Sequence, residues 1–187
     1  GSFTEQVARG NGYSFTTALA GNALIAAGTA NAPAIWNPPN SGRILSIQKV
    51  VFARTAKGTP LEGSIVYLRQ AGVRGIGTGN DIISGTAVAG LNLRSDLPDN
   101  SKMVFFPTTI STTFTPSLLG PSGVAQTADN GATTVSGPRT DCGIIDWVYG
   151  MIQVGPGSYL SRGAAVSLST TYTISLVGLS LPKPDFA

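Results

Sequence analysis

Carboxylates are the only general acid–base candidates in this sequence, because it contains no histidine. Without imidazole there is no Ser-His-Asp or Cys-His nucleophile and no zinc site of the histidine-containing kinds. Asp96 and Asp99 sit three apart in Leu93-Arg94-Ser95-Asp96-Leu97-Pro98-Asp99-Asn100, and Asp141 and Asp146 flank Cys142. A glycosidase needs two carboxyl groups converging across a groove. Asp96 and Asp99 read instead as turn formers around Pro98, their side chains capping nearby backbone. Calcium at Asp96, Asp99 and Asn100 is the competing reading, but the alternating Asp/Asn and distal Glu of an EF-hand loop are missing. Cys142, the single cysteine, has no base beside it and reads as a buried, inert thiol that cannot close an internal disulfide. Gly72-Val73-Arg74-Gly75-Ile76-Gly77-Thr78-Gly79 lacks the Gly-Lys-Ser/Thr ending and the strand-to-helix setting of a phosphate loop. No cofactor and no metal are therefore expected.

Trp36, Trp147, Tyr149 and Tyr159 could line a sugar-binding face. Each lies in or beside a predicted strand, where aromatic residues more often pack cores and subunit contacts. Together with Arg43, these four are the candidate interface residues.

Composition points the same way. Only 11% of the 187 residues are charged, against about 25% in an average soluble domain. The surface must then be covered by Thr, Ser, Asn, Gly and small apolar residues, a poor recipe for a free monomer. The 12 Lys and Arg are scattered singly, so the clustered basic face that phosphate binding requires is absent and no nucleic-acid partner is expected. The most apolar stretch, Ala18 to Ile35, is broken by Gly21, Asn22, Gly28, Thr29, Asn31 and Pro33, so no membrane span is read. Glu5 and Arg9 in a polar N-terminus do not resemble a secretory signal.

The 24 glycines and 12 prolines leave breaker-free stretches too short for helices and rich in Val, Ile, Thr, Tyr and Phe, which marks an all-β chain. Arg43 to Arg54 reads as a long strand in which Leu45, Ile47, Val51 and Ala53 share one parity, broken at Lys49. After a turn at Lys57-Gly58-Thr59-Pro60, Gly63 to Gln70 is expected to return as the second arm of a hairpin. Further strands are expected at 103–106, 110–114, 132–135, 144–150 with 151–154, 164–169 and 171–181. Asp129-Asn130-Gly131 is a hairpin-turn signal. The last strand alternates and then becomes apolar throughout, so one end should be covered on both faces. Gly72 to Lys102 and Pro116 to Gly131 read as long connections, of the kind that are functional or ordered by a partner. The expected organisation is an extended N-terminal arm over residues 1–40, packing on the domain or on neighbours, and a sandwich over 41–187.

The run Ala32-Pro33-Ala34-Ile35-Trp36-Asn37-Pro38-Pro39-Asn40-Ser41-Gly42-Arg43-Ile44-Leu45-Ser46-Ile47-Gln48-Lys49-Val50 resembles the opening of small β-sandwich structural proteins of tailed bacteriophages. Val154-Gly155-Pro156-Gly157, with Ala164-Ala165-Val166-Ser167-Leu168 and the terminal strand, is similar to the return of the same proteins. This chain has Gly-Pro-Gly where many have Pro-Pro-Gly. The resemblance spans about residues 32 to 181 and implies an antiparallel, jelly-roll-like sandwich. It also implies a homotrimer on a virion, made in the host cytoplasm, that decorates the capsid beside the major capsid protein or other virion proteins. A tail or spike component that binds a host-surface glycan is the alternative it leaves open.

Overall fold

A computed structural model describes residues 1–17, 22–23, 33–56, 62–77, 81–108, 110–126, 143–164 and 171–184. In chain order these form α1 (Phe3–Ala8), β1 (Gly12–Thr16), β2 (Asn22–Ala23), β3 (Ala34–Asn37), β4 (Arg43–Ala56), β5 (Glu62–Gln70), β6 (Ile82–Ser84) and β7 (Leu91–Asn92). They continue with β8 (Val104–Phe106), β9 (Ser111–Thr112), β10 (Ser117–Gln126), β11 (Gly143–Val154), β12 (Ser158–Ala164) and β13 (Thr171–Pro182). The turns expected at 57–60 and 129–131, the strand expected at 132–135, all of the strand expected at 164–169 except Ala164 at the end of β12, and both Asp141 and Cys142 lie outside the described residues.

The strands form an all-β antiparallel sandwich. One sheet runs β11-β4-β13-β1-β7, with β2 pairing β13, and the other runs β10-β5-β12-β3-β8. The antiparallel pairs are nested: β1 with β13, β3 with β12, β4 with β11 and β5 with β10. The chain thus folds back on itself as one long hairpin that is wrapped across two sheets, which is the jelly-roll topology. The expected hairpin of β4 with β5 does not form. Both edges of β4 are taken by β11 and β13, and β5 crosses to the opposite sheet. Local sequence proposes the turn, but the nested long-range pairing decides the partners.

The parity break at Lys49 is a bulge. Ile47 pairs with Gly178 and Lys49 with Val177, so Gln48 is an extra residue that reverses the alternation of β4. Leu45, Ile47, Val50 and Phe52 consequently point into the core. In β13, Tyr172, Ile174 and Leu176 alternate inward before Gly178, Leu179 and Ser180 are all buried, as the apolar run implies. Gly178 is required there: a Cβ would stand 2.8 Å from Leu45 Cδ1 and 3.2 Å from the Ser46 carbonyl oxygen.

Residues 1–40 supply α1 and strands within both sheets, since β1 lies between β13 and β7, and β3 between β12 and β8. The glycine-rich stretch after β5 folds back on its own domain. It adds β7 to one sheet and meets β8 of the other, the strand expected at 103–106, where the Val88 amide donates to the Phe105 carbonyl at 2.8 Å. Ile82 is fully enclosed, and Gly90 packs where any Cβ would strike the Phe15 ring. The stretch from Pro116, read as a loop, contains β10; Gly120 and Pro121 sit at its register shifts, on an edge strand where a missing donor is tolerated.

Two cores result. Phe15, Ile35, Leu45, Phe52, Phe105 and Leu160 fill the space between the sheets, with Phe15 and Phe105 tilted at 5.8 Å. Trp36 and Tyr159 form a second cluster with Val73, Ile82, Phe106 and Ile110 of the chain between β5 and β10.

The two sheets are fastened at one corner by Asn37. Its Nδ2 donates to the Arg43 carbonyl and to the Val154 carbonyl, both at 2.8 Å, while its backbone carbonyl accepts from the Gly157 amide at 2.8 Å. The Gly157 carbonyl accepts in turn from Val73 N at 2.8 Å, and Trp36 Nε1 donates to the Val73 carbonyl at 3.2 Å. Replacing Asn37 with alanine would leave two carbonyls without their donor, so Asn37→Ala is expected to lower stability by about 2–4 kcal/mol in chemical unfolding.

Candidate functional site

Among the described residues, the carboxylates singled out as candidate acids and bases are engaged in holding the fold. Arg94 grips Asp96 through Nε at 3.0 Å and Nη2 at 2.5 Å, and this guanidinium holds the Asp96 carboxyl below its ordinary pKa. Asp99 accepts from the Asn92 amide at 2.6 Å. The two carboxylates therefore serve separate turns and do not converge. Within Gly72–Gly77, Arg74 binds Asp81 through its amide at 2.8 Å and its guanidinium at 3.2 Å, closing a turn. Among the described residues no three of Cys, Asp and Glu gather as a metal cluster.

The five candidate interface residues separate into two groups. Trp36 and Tyr159 are adjacent across the β3–β12 pair and are buried under the chain's own segment 71–116; Phe114 meets the Tyr159 ring edge-on at 5.2 Å. Burial pushes the Tyr159 phenol above its ordinary pKa and keeps it neutral. Arg43 is also committed internally, with Nη2 bonded to Asn11 Oδ1 at 3.1 Å and to the Ser180 carbonyl at 2.6 Å. Trp147 and Tyr149, by contrast, are 51% and 72% exposed.

That exposure comes from the backbone of β11. Trp147 pairs with Lys49 and Ile152 with Ile47, so the four residues Val148 to Met151 face Gln48 alone. Tyr149 takes a left-handed conformation at φ 50° and Gly150 follows at φ 79°. Position 150 needs glycine a second time over, because a Cβ would approach Ser46 Oγ to 2.8 Å. A tyrosine at positive φ costs on the order of 1–3 kcal/mol. Here the turn lays its ring on Trp147, with centroids 5.7 Å apart and planes 17° from parallel, while Lys49 Nζ lies 5.1 Å from the Trp147 centroid.

The aromatic pair belongs to a longer strip. Ile145 precedes it on the same strand, and Met151 follows it at 81% exposure. Met151 shares a cleft of about 230 Å³ with Leu119 of β10, which is bordered by Arg69, Gln70, Gln153 and Ser158. Leu118 beside it is 65% exposed. Ile145, Met151, Leu118 and Leu119 were missed in the sequence reading. The available signal was that Ile145, Trp147, Tyr149 and Met151 occupy alternate positions of one apolar strand.

Behind the strip lies a buried ionic group, also missed. Arg162 of β12 is enclosed between two rings, with its guanidinium carbon 3.5 Å from the Tyr67 centroid and 4.4 Å from that of Phe52. Burial pulls its pKa down to about 9, against the electrostatic pull of Tyr67 and Asp146. The Tyr67 hydroxyl donates to Asp146 Oδ2 of β11, so the network crosses from one sheet to the other. At neutral pH Arg162 remains charged, and Asp146 is the carboxylate that compensates it. Compared with known proteins, the chain matches no family model, no curated sequence and no solved structure.

Removing one member of a buried charge network costs more than the network contributes, because the survivor is left uncompensated. Asp146→Asn is expected to lose about 3 kcal/mol in urea unfolding. Lys49→Ala, at a partly exposed position beside Trp147, should change stability by less than about 1 kcal/mol.

Proposed function

We propose that this chain is a non-enzymatic structural protein of a tailed-bacteriophage virion. In this reading it is a capsid cement or decoration protein that stabilises the head as a homotrimer against the major capsid protein or another virion protein. The observation that carries the reading is the apolar strip along β11 and β10. It lies on a domain whose charged side chains are scarce, and among the described residues Arg43, Asp146 and Arg162 are turned to partners within the fold. Such strips mark surfaces that a partner covers, and interface cores are depleted in charge in the same way. Two further features support it. The jelly roll is a recurrent solution for viral shell domains. The two turn sequences behind the resemblance to phage proteins, Trp36 to Arg43 and Val154 to Gly157, meet at Asn37.

A second reading, a tail or spike component that binds a host-surface glycan, is supported by the outward ring of Tyr149, a stacking surface for a sugar. The aliphatic Ile145, Met151, Leu118 and Leu119 fit a protein partner better, and Trp147 is already engaged by Tyr149 and Lys49. A glycan array with hits that Tyr149→Ala abolishes would favour the second reading.

For the first reading, particles lacking this protein should show missing density on the shell and release their contents at a lower temperature or lower salt stress. Adding the purified protein back should restore both. Particles of unchanged density and unchanged resistance would overturn it.

A further inference from the structure

The strip on β11 and β10 is large for a single molecule. Its six exposed side chains average well over half their surface in solvent. At roughly 150–250 Å² for an aromatic side chain, Trp147 and Tyr149 alone expose about 250 Å², and the four aliphatic side chains add to it. The largest patch on a typical monomer is about 300–600 Å², whereas a stable association covers about 800 Å² on each partner. Among the described residues the strip also follows the outermost strands of the two sheets, β11 and β10, whose outward backbone groups offer a template for a further strand.

The same chain carries a counter-surface. The two sheets end at β11 and β10 on one side and at β7 and β8 on the other. Along that far side Leu91 is 62% exposed, with Val88 and Leu93 exposed beside it. Two apolar edges on opposite sides of one molecule are the arrangement for head-to-tail contact, which closes into a ring when the rotation per copy allows.

We propose that the occupant of the β10–β11 strip is the β7 edge of a second copy of this chain. Ile145, Trp147, Tyr149 and Met151 of one protomer cover Val88, Leu91 and Leu93 of the next. This rests on the reading of the chain as an assembly protein and specifies how the copies meet. Tyr149 acquires a purpose in this arrangement. Its strained backbone presents a rigid aromatic surface, the kind of residue that dominates interface energetics.

The experiment is sedimentation velocity on the full chain and on the variants Met151→Asp and Leu91→Asp, both at exposed positions, with circular dichroism to confirm the fold. Wild type should sediment as a closed oligomer and each variant as a monomer. An equimolar mixture of the two variants should give a dimer, because each blocks one edge and one intact contact remains. Tyr149→Asp and Val88→Asp form a second pair that should behave identically, should either first variant misfold. A monomeric wild type overturns the proposal and leaves the strip to another protein. So does a Leu91→Asp chain that assembles normally, which indicates a strip-to-strip contact, and so does a mixture of the two monomeric variants that stays monomeric. Co-sedimentation with particles is read separately: oligomers that ignore particles overturn the virion reading and leave this one standing.

Discussion

One side-chain amide holds the architecture in register. Asn37 ends β3 in one sheet, and its Nδ2 reaches the carbonyls of Arg43 and Val154, which belong to β4 and β11 of the other. An amide is the side chain for this position: it supplies two donors without a charge, and buried carbonyls accept from it without the desolvation cost of an ion. The Gly157 amide donates to the backbone carbonyl of Asn37, and the chain after β5 is hung from Gly157 and Trp36 through Val73. Three turns distant in sequence are thereby fixed to one another. The spacing of the two sheets at this corner follows from a few hydrogen bonds of about 2.8 Å.

What the corner fixes, the segment 71–116 completes. By passing over Trp36 and Tyr159 it converts the outer face of β3 and β12 into a second core, and by adding β7 and β8 it widens both sheets. Among the described residues, no such segment covers the opposite side of the sandwich. The contrast between a covered face and the bare strip of Ile145, Trp147, Tyr149 and Met151 is the asymmetry on which the functional reading stands. Arg162, enclosed by Tyr67 and Phe52 behind that strip, shows that the domain does accommodate a charge internally when aromatic faces and Asp146 receive it.

The all-β class, the long strands β4, β5, β11 and β13 and the doubly covered end of β13 were legible, because breakers and two-residue alternation are local signals. The break at Lys49 was visible too, but its meaning was not: a bulge and a change of covered face look alike in one strand until its neighbours are known. The pairing of β4 with β11 and β13 was out of reach for the same reason. Among the candidate residues, sequence could not separate Trp36 and Tyr159 from Trp147 and Tyr149. All four are aromatic residues in strands, and what divides them is a loop of the same chain lying over one pair. Arg162 gave no signal, since nothing in Leu160-Ser161-Arg162-Gly163 distinguishes an inward guanidinium from an outward one.

The nesting of the strands also sets an order of events. β1 has β13 as its main partner, and β3 has β12, so the early strands cannot be satisfied until the late ones exist. Contacts between segments so distant must bear the cost of closing long loops before they gain anything, and such topologies fold slowly. During synthesis the N-terminal strands emerge with their hydrogen-bonding edges open, and the low charge that suits a covered surface gives them little repulsion against one another. A chain of this design therefore depends on its cellular setting for a period after the ribosome releases it.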